Sequence, residues 1–374
     1  MDAVANIYEQ RQADWRAGQN TPSTQMAQVR PQTWDGIIGN ARAIDQIRES
    51  ILAAKKQGRP LPHTLIFGPP GTGKTTIAQM IARDMGGRLI ATTASTLEVP
   101  ADAVRLLWQI NKGYAMTGTG SIAFIDEIHM LGQAKGRQSI DQEQMFTLLE
   151  DWVLYTNLLG KKVQDADDGR LYTITGNDIP VVPFTALGAT TEPGMLSQPL
   201  MRRFLIQIEL DPYTEDEVAT ILRGSAQRLG YPITDAASAA LAKFSRRNPG
   251  TALSLLTAAN ARAIATDREI TEEIAQEVIE RQRLYPQGLT WTDVRVLRLL
   301  YDRTPRGVGL AEICRALNIS QSQFSGMIEP YLRQLDFMET LARRVIKPAG
   351  MRYLASIGQL DTTNRPDARA ALAP

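Results

Sequence analysis

Eight residues, GPPGTGKT at positions 68–75, constrain the fold of this chain more than any other segment. They fit the pattern G-x-x-x-x-G-K-[ST] and lie between the apolar run HTLIFG and the helical period of TTIAQMIARDMGG. The pattern needs a strand before it and a helix after it, because loop amides and the helix N-terminus together hold phosphate. We therefore expect an α/β domain with a parallel sheet. A glycine-rich turn before a helix is the alternative.

The chemistry of this loop assigns roles to its residues. The Lys74 ammonium is expected to neutralise the β- and γ-phosphates of a nucleoside triphosphate. Thr75 is expected to place its hydroxyl on Mg²⁺, a hard cation that prefers oxygen ligands. The predicted nucleotide-binding residues of the loop are Gly68, Pro69, Pro70, Gly71, Thr72, Gly73, Lys74, Thr75 and Thr76.

A second element is the apolar strand IAFIDE at 122–127, which ends in two carboxylates. Asp126 is the expected partner of Mg²⁺, and Glu127 the expected base that polarises water for attack on the γ-phosphate. Many strands end in acids, but one that follows a P-loop by about 50 residues indicates a nucleoside triphosphatase. His129 is either a catalytic histidine or, as we favour, a residue that packs beside the strand end.

Two further segments bear on the same site. The strand PFTALGATT (183–191) ends at Thr191, whose hydroxyl is expected to sense the γ-phosphate or hold the attacking water, although a buried threonine is also typical of a strand end. The segment SQPLMRRF (197–204) places Arg202 and Arg203 on a short helix. In ring-forming triphosphatases such an arginine reaches the neighbouring subunit's nucleotide; otherwise these are ordinary surface arginines.

The chain becomes helical after Pro212. A capping box, TEDE at 214–217, opens a helix, and further helices are expected near Thr234, Gly250 and Thr271. Helical patterns at 291–302, 309–317 and 320–335, followed by the extended segment METLARRVIKP, are typical of a winged helix. The predicted domains are a flexible arm at 1–29, a large ATPase domain at 30–212, a helical lid at 213–284, a winged-helix domain at 285–356 and a flexible tail at 357–374.

Composition narrows the class of protein. The single cysteine, Cys314, with His63 and His129 cannot supply a structural zinc cluster, and it indicates a reducing compartment. The chain lacks a run of about 18 apolar residues, and its start lacks a basic and apolar leader, so we expect a cytoplasmic protein without a membrane segment. The net charge is +1, but residues from Arg281 onward carry 14 basic and 8 acidic residues. This +6 segment is expected to favour nucleic acid.

Taken in order, these motifs resemble AAA+ ATPases and, within them, the RuvB family of Holliday junction branch-migration motors. The similarity runs from about Arg30 to Leu354. The boxes FTALGATT and EPYL are specific to that family, whereas GPPGTGKT and DE are shared across AAA+ proteins. The matching segments are RPQTWDGIIGNARAIDQI, AAKKQGRPLPHTLIFGPPGTGKTTIAQMIA, FIDEIHML, PFTALGATTEPGMLSQPLMRRF, GLTWTDVRVLRLL and EPYLRQLDF.

The resemblance implies a fold and a function. It implies an AAA+ core with a helical lid and a winged helix, ATP and Mg²⁺ as ligands, and a homo-hexameric ring. Hydrolysis would drive branch migration of Holliday junctions in recombination and repair, and a β-hairpin within 160–182 would dock a RuvA-like partner. Residue by residue, it implies Lys74 and Thr75 as Walker A, Asp126 and Glu127 as Walker B, Thr191 as sensor 1, Arg203 as arginine finger, Tyr213 beside the nucleotide, and Ile37 and Ile38 in the adenine pocket.

The chain departs from the family pattern at several positions. Gly250, in NPGT, stands where the family has its sensor 2 arginine; Arg246 or Arg247, a turn earlier, could replace it. Glu192 and Pro193 replace an Arg-Ala pair, and 132–142 is a polar insertion. These departures leave open an alternative function: an ATP-gated module, such as a loader or a recruitment switch of a mobile element, that binds DNA or protein without helicase activity.

Three cations on the expected wing are candidates for DNA contact: Arg343, Arg344 and Lys347. Guanidinium and ammonium groups there would neutralise phosphates without reading bases, as suits a motor that slides along duplex or junction DNA of any sequence. A charged, solvated hairpin without a ligand is the other interpretation.

Overall fold

The computed structural model describes residues 29–97, 99–117, 120–131, 142–165, 167 and 169–360. The predicted arm up to residue 28, the tail from residue 361 and the insertion at 132–141 lie outside the described residues. The chain divides into two compact units. One holds the residues up to Gly230 with Asn248–Gly250, and the other holds Tyr231–Arg247 and the chain from Thr251 onward. The domain boundaries expected after 212 and 284 stay predictions.

The first unit is built on a parallel sheet of five strands, which are β1 (Thr64–Phe67), β2 (Leu89–Thr93), β3 (Ile122–Asp126), β8 (Thr185–Thr190) and β9 (Ile206–Glu209). They lie in the order β2-β3-β8-β1-β9. This confirms the predicted parallel sheet. The strand β8 lies between β3 and β1, although nearly 60 residues separate it from β3 in sequence. The other strands of this unit are β4 (Val153–Tyr155), β5 (Lys162–Gln164), β6 (Leu171–Thr173) and β7 (Asp178–Pro180).

Helices cover both faces of this sheet. Side chains alternate across the pleat, so Leu65 enters one hydrophobic cluster while its neighbour Ile66 enters the cluster on the other face. Both are fully buried, which explains why these strands read as continuous apolar runs. The helices of the first unit are α1 (Ala41–Gln57), α2 (Lys74–Met85), α3 (Pro100–Thr117), α4 (Gln142–Asp151), α5 (Gln198–Arg203) and α6 (Glu215–Leu229).

A β-hairpin projects between α4 and β8, as expected within 160–182. Strand β5 pairs with β6, and β4 pairs with β7, both antiparallel. Contacts with α3 hold the hairpin in place, among them an ion pair of 2.6 Å between Lys112 and Asp165 and a hydrogen bond from Arg105 to the Gln164 carbonyl. Leu171, on β6, keeps an exposed apolar side chain.

The second unit is helical and carries a small two-stranded wing before its last helix. The hydrophobic core of its C-terminal part contains Leu297, Ile313, Phe324 and Leu332. A π-helical turn at Phe324–Ile328 joins α12 (Gln321–Gln323) to α13 (Glu329–Gln334). The strands β10 (Met338–Thr340) and β11 (Arg344–Ile346) pair antiparallel and form the wing. The remaining elements are α7 (Asp235–Lys243), α8 (Pro249–Ile264), α9 (Glu272–Arg281), α10 (Trp291–Asp302), α11 (Leu310–Leu317) and α14 (Pro348–Ser356).

Local signals in the sequence account for the helix starts. The predicted capping box of α6 is present: the Thr214 hydroxyl accepts from the Glu217 amide, and the Glu217 carboxylate accepts from the Thr214 amide. A second capping box, formed by Thr290 and Asp293, starts α10. Within the described residues, no helix combines the length and apolar character needed to cross a bilayer.

Candidate nucleotide-binding site

The glycine-rich loop connects β1 to α2, which confirms the predicted strand, loop and helix order. Gly73 is the N-cap of α2 and offers no side-chain cap, so the first amides of the helix are available to an anion. Thr72 closes the loop with a hydroxyl hydrogen bond of 2.9 Å to the Pro69 carbonyl. Gly71 has a φ of 82°, and a Cβ there would come within 2.4 Å of the Asn248 side chain. Only glycine fits at this point.

Lys74 is buried at the start of α2. Its Nζ donates to the carbonyls of Gly68 (2.8 Å) and Pro69 (3.0 Å). Burial lowers the pKa of Lys74, while the nearby carboxylates of Glu127 and Asp126 act in the opposite direction. The ammonium group is thus held inside the loop, as expected of a lysine that meets phosphate oxygens. Thr75 and Thr76 are half-buried in the same helical turn.

Asp126 is the last residue of β3 and Glu127 follows it, at the carboxyl edge of the sheet. Parallel strands end at the same edge, so β3 and β8 deliver their last residues beside the loop that follows β1. Glu127 has a φ of 48°, and its amide donates to Oδ1 of Asp126 over 3.0 Å. Burial raises the pKa of Asp126, although this backbone hydrogen bond lowers it.

Thr191 and His129 both contact the Glu127 carboxylate. The Thr191 hydroxyl donates to Oε2 of Glu127 over 3.1 Å, and Nδ1 of His129 lies 3.3 Å from the same oxygen. His129 is buried and pairs with the Thr190 hydroxyl at 2.9 Å. It therefore packs beside the strand end, the role we favoured. The pairing of His129 with Thr190 escaped sequence reasoning, because it depends on β3 and β8 being neighbours.

Tyr213, one of the residues expected on the adenine side, lies next to the loop. Tyr213 is buried and donates from its hydroxyl to the Thr72 carbonyl over 3.1 Å. Burial raises the pKa of Tyr213 to about 12, so the phenol stays protonated. Ile37 and Ile38 are half-buried and precede Asn40. The Asn40 side chain exchanges two hydrogen bonds with the Asp211 backbone, which joins the segment of these isoleucines to the one that leads into Tyr213.

The predicted arginine finger, Arg203, lies at the last residue of α5. Its side chain is about one-third exposed and forms an ion pair with Glu150 of α4. The Ser197 hydroxyl caps the start of this helix by accepting from the Leu200 amide. Within its own chain, Arg203 is thus oriented by a carboxylate on the neighbouring helix.

The region expected to hold sensor 2 differs from the family pattern in side-chain chemistry. Gly250 donates its amide to Oδ1 of Asn248 over 2.8 Å, and Nδ2 of Asn248 donates to the Pro70 carbonyl over 3.2 Å. Arg246, one of the two suggested replacements, instead binds the Asp293 carboxylate. Arg247 is exposed. Sequence reasoning passed over Asn248, which contacts the phosphate loop.

Each of the three wing cations has a carboxylate partner. Arg343 is half exposed and lies 2.9 Å from Glu312, and Lys347 pairs with Asp336. Arg344 differs: its side chain is only 17% exposed and binds Glu329 through two hydrogen bonds, of 2.9 and 3.2 Å. Its guanidinium also lies over the ring of Phe324. The geometry of Arg344 is that of a structural ion pair.

The parallel sheet, the phosphate loop and the two carboxylates at its edge define a P-loop ATPase domain of the AAA+ class. Residues 29–210 match the model of the Holliday junction DNA helicase RuvB P-loop domain. Residues 286–355 match the RuvB C-terminal winged helix domain.

Individual proteins give the same result. The Holliday junction branch migration complex subunit RuvB 2 of Synechococcus sp. is 34% identical over 334 residues, which cover 88% of this chain and 84% of that protein. The RuvB subunit of Ligilactobacillus salivarius is 34% identical over 87% of this chain and 91% of its own length. The solved structure of the Thermotoga maritima RuvB Holliday junction branch migration motor superposes with a TM-score of 0.71 at 29% identity, covering 88% of this chain and 98% of that one. The chain belongs to the RuvB family.

Proposed function

We propose that this chain is an ATP-driven motor that moves the branch point of four-way DNA junctions in recombination and repair. The observation that carries the proposal is the convergence of Glu127 and Thr191 beside a complete phosphate loop. The same chain carries a winged helix of the RuvB type. Its relatives from Synechococcus sp. and Ligilactobacillus salivarius are named as subunits of the Holliday junction branch migration complex.

The residues of the site fit ATP and Mg²⁺. The loop offers the uncapped amides of α2 and a buried ammonium, which suit a triphosphate. Thr75 and Asp126 offer only oxygen donors, which suit Mg²⁺. When bound, Mg²⁺ would be held by these two residues and would neutralise charge on the β- and γ-phosphates. Ile37, Ile38 and Tyr213 would enclose the adenine.

Glu127 would act as the general base. Its carboxylate is about 40% exposed, which leaves it accessible to water. Thr191 would hold this carboxylate and the attacking water in line with the γ-phosphate, because its hydroxyl can donate to one oxygen and accept from another. Lys74 would stabilise the charge that develops on the phosphate oxygens.

Arg203 would complete the site of a neighbouring subunit. It lies on the short helix after β8, is partly exposed and is held by Glu150. A guanidinium delivered in trans stabilises the transition-state charge and makes hydrolysis depend on assembly. We therefore include a homo-hexameric ring in the proposal.

DNA and a partner protein would bind at separate elements. The β5–β6 hairpin, with Leu171 exposed, would dock a RuvA-like protein. The winged helix would contact DNA phosphates through Arg343 and Lys347, which are more exposed than Arg344. Arg344 would act there through Glu329, by holding the wing in place.

An ATP-gated module that binds DNA or protein without translocating is the second candidate. Gly250 favours it, because this position has no side chain that could reach a γ-phosphate. Asn248 contacts the phosphate loop here, but a neutral amide interacts with phosphate more weakly than an arginine does.

The test is steady-state ATP hydrolysis without DNA, with linear duplex and with a four-way junction, together with junction branch migration, using Lys74→Ala as the blank. The motor predicts turnover that DNA raises, and migration that needs ATP. Tight ATP binding with turnover equal to that of the blank, even with a RuvA-type partner present, would exclude the motor and favour the gated module.

A further inference from the structure

The segment Tyr285–Leu289, which joins the last helix before the winged helix to that domain, is held from several sides. The Tyr331 hydroxyl donates to the Gln287 carbonyl over 2.5 Å, and the Tyr353 hydroxyl donates to the Pro286 carbonyl over 2.8 Å. Within the segment, the Tyr285 amide donates a hydrogen bond of 2.8 Å to the Leu289 carbonyl. This connection is therefore an ordered element of the second unit and not a free tether.

Arg246, after α7, reaches this segment and the winged helix together. Its Nε donates to the Gly288 carbonyl over 2.9 Å, and its guanidinium binds the Asp293 carboxylate on α10. The same guanidinium lies 4.7 Å from the centre of the Tyr331 ring. The Arg246 side chain is thus held by a carboxylate, a backbone carbonyl and an aromatic ring. A planar guanidinium with several N–H donors can make all three contacts at once.

Asp293 is fully buried, so its carboxylate depends on the ion pair with Arg246. Its Oδ2 also accepts from the Thr290 amide and hydroxyl, each at 2.6 Å, as part of the capping box that starts α10. A buried carboxylate is costly without a counter-ion, so the position of α10 is tied to the position of Arg246.

The backbones approach each other closely at the same point. Gly288 has a φ of 74°, and a Cβ there would lie 2.6 Å from the Phe244 carbonyl oxygen and 2.9 Å from the Arg246 nitrogen. Any side chain at this position would push the segment off the end of α7. The end of α7 and the start of the winged helix are therefore closely packed at this point.

Arg246 and Asn248 belong to different units although one residue separates them. Asn248 donates to the Pro70 carbonyl of the phosphate loop, whereas Arg246 binds Asp293. A single residue, Arg247, thus separates a residue that contacts the phosphate loop from one that binds the winged helix.

We propose that Arg246 is a coupling residue: its contacts with Asp293 and Gly288 make helices α7–α9 and the winged helix one rigid lever, which converts motion at the phosphate loop into motion of the DNA-binding domain. This inference rests on the proposed motor function. It also gives a reason why Arg246 does not serve as a sensor 2 arginine, since its side chain is committed to Asp293.

The test uses full-length protein and a neutral double variant, Arg246→Met with Asp293→Asn, which removes the ionic link without leaving a buried charge. The amide oxygen of the asparagine can still accept the Thr290 hydrogen bonds. The matched control is Arg262→Met with Glu277→Gln, because this ion pair of 2.6 Å joins α8 to α9 within the lever and does not reach the winged helix. We expect basal ATP hydrolysis and duplex affinity at wild-type values in both. Branch migration per ATP hydrolysed should fall about tenfold in the Arg246 variant only.

Unchanged migration per ATP in a folded Arg246 variant would overturn the proposal. A second measurement, amide hydrogen exchange of wild-type protein, covers the case in which the variant does not fold. The amides of Tyr285 and Gly288 should exchange slowly with ADP and with a non-hydrolysable ATP analogue, and exchange at the rate of an exposed loop would overturn the lever. If the wild-type protein does not move junctions, the proposed motor function is wrong. The exchange measurement still tests whether the segment Tyr285–Leu289 is rigid, as the lever requires.

Discussion

The Thr191 hydroxyl donates a hydrogen bond of 3.1 Å to Oε2 of Glu127, and the Thr191 amide donates to the same oxygen over 3.3 Å. These two residues directly follow neighbouring strands, β8 and β3. The expected base and the expected sensor are therefore linked directly at the edge of the sheet. The orientation of the carboxylate depends on the residue that is expected to sense the γ-phosphate.

The first prediction concerns Glu127→Gln. The amide cannot accept a proton from water, so ATP hydrolysis should fall by about 10²- to 10⁴-fold. ATP binding should persist, because Lys74 and the loop amides are unchanged. Steady-state turnover and equilibrium binding of a fluorescent ATP analogue measure the two effects. Full turnover in this variant would show that Glu127 is not the base.

The second prediction concerns Arg203. If the guanidinium acts on a neighbouring subunit's nucleotide, Arg203→Ala alone should lower the rate of ATP hydrolysis by about 10³-fold or more. Lys74→Ala alone should also be inactive. A mixture of the two should recover part of the activity, because subunits with an intact loop then meet neighbours with an intact arginine. A mixture as inactive as its components would exclude action in trans.

The third prediction separates the two adjacent wing arginines by stability. Arg344→Ala leaves Glu329 without its guanidinium partner in a mostly buried position, so we expect a loss of about 3 kcal/mol in unfolding free energy. Arg343→Ala removes a half-exposed ion pair and should change stability little. Urea denaturation followed by circular dichroism gives both values. Equal stabilities would contradict the structural role of Arg344.

The fourth prediction is a pH dependence at Glu329. Burial would raise the pKa of Glu329, but hydrogen bonds from Arg344 and Thr340 together hold it below its usual value. A carboxyl group with a lowered pKa in the folded state adds stability above the unfolded pKa of about 4.3, and that stability is lost as the pH falls through the folded pKa.

Melting temperatures between pH 6 and pH 3 test this effect. The difference in melting temperature between the wild type and Glu329→Gln should be largest at pH 6 and become smaller as the pH falls. A difference that stays constant over this range would show that the charge of Glu329 does not contribute.

The fifth prediction concerns DNA affinity. If Arg343 contacts one phosphate, Arg343→Ala should weaken duplex binding equally for all sequences and reduce the slope of log affinity against log salt by about one. Fluorescence anisotropy at a series of salt concentrations measures this slope. An unchanged slope would remove Arg343 from the DNA interface, and a sequence-dependent loss would point to base contacts instead.

Much of the fold could be read from local patterns. The P-loop, the DE pair, the capping box at Thr214 and the helical periods each depend on residues close together in sequence, and all of them are present. The hairpin within 160–182 and the wing after Leu335 were also anticipated correctly. The site roles of Lys74 and Arg203 remain predictions that the experiments above test, and the role of Asp126 as a ligand of Mg²⁺ also remains a prediction.

The contacts that distinguish this chain could not be read in the same way. Arg343 and Arg344 look equivalent in sequence, yet one is half exposed and the other is bound to Glu329. In sequence, Arg246 is a candidate to replace the sensor 2 arginine that Gly250 lacks. In the structure it binds Asp293, which lies 47 residues further along the chain.

The order of residues along the chain was enough to establish a phosphate loop, an acidic strand end and a winged helix, because these motifs carry their chemistry within short segments. Which side chains meet was settled by folding. The placement of β8 between β3 and β1 brings Thr191 to Glu127. The close approach of Gly288 to Phe244 and Arg246, just before α10 begins, accompanies the pairing of Asp293 with Arg246. Burial determines these partners, because a charged group or hydroxyl that is removed from water is costly unless it is paired. The partner can come from any part of the chain that the fold places nearby.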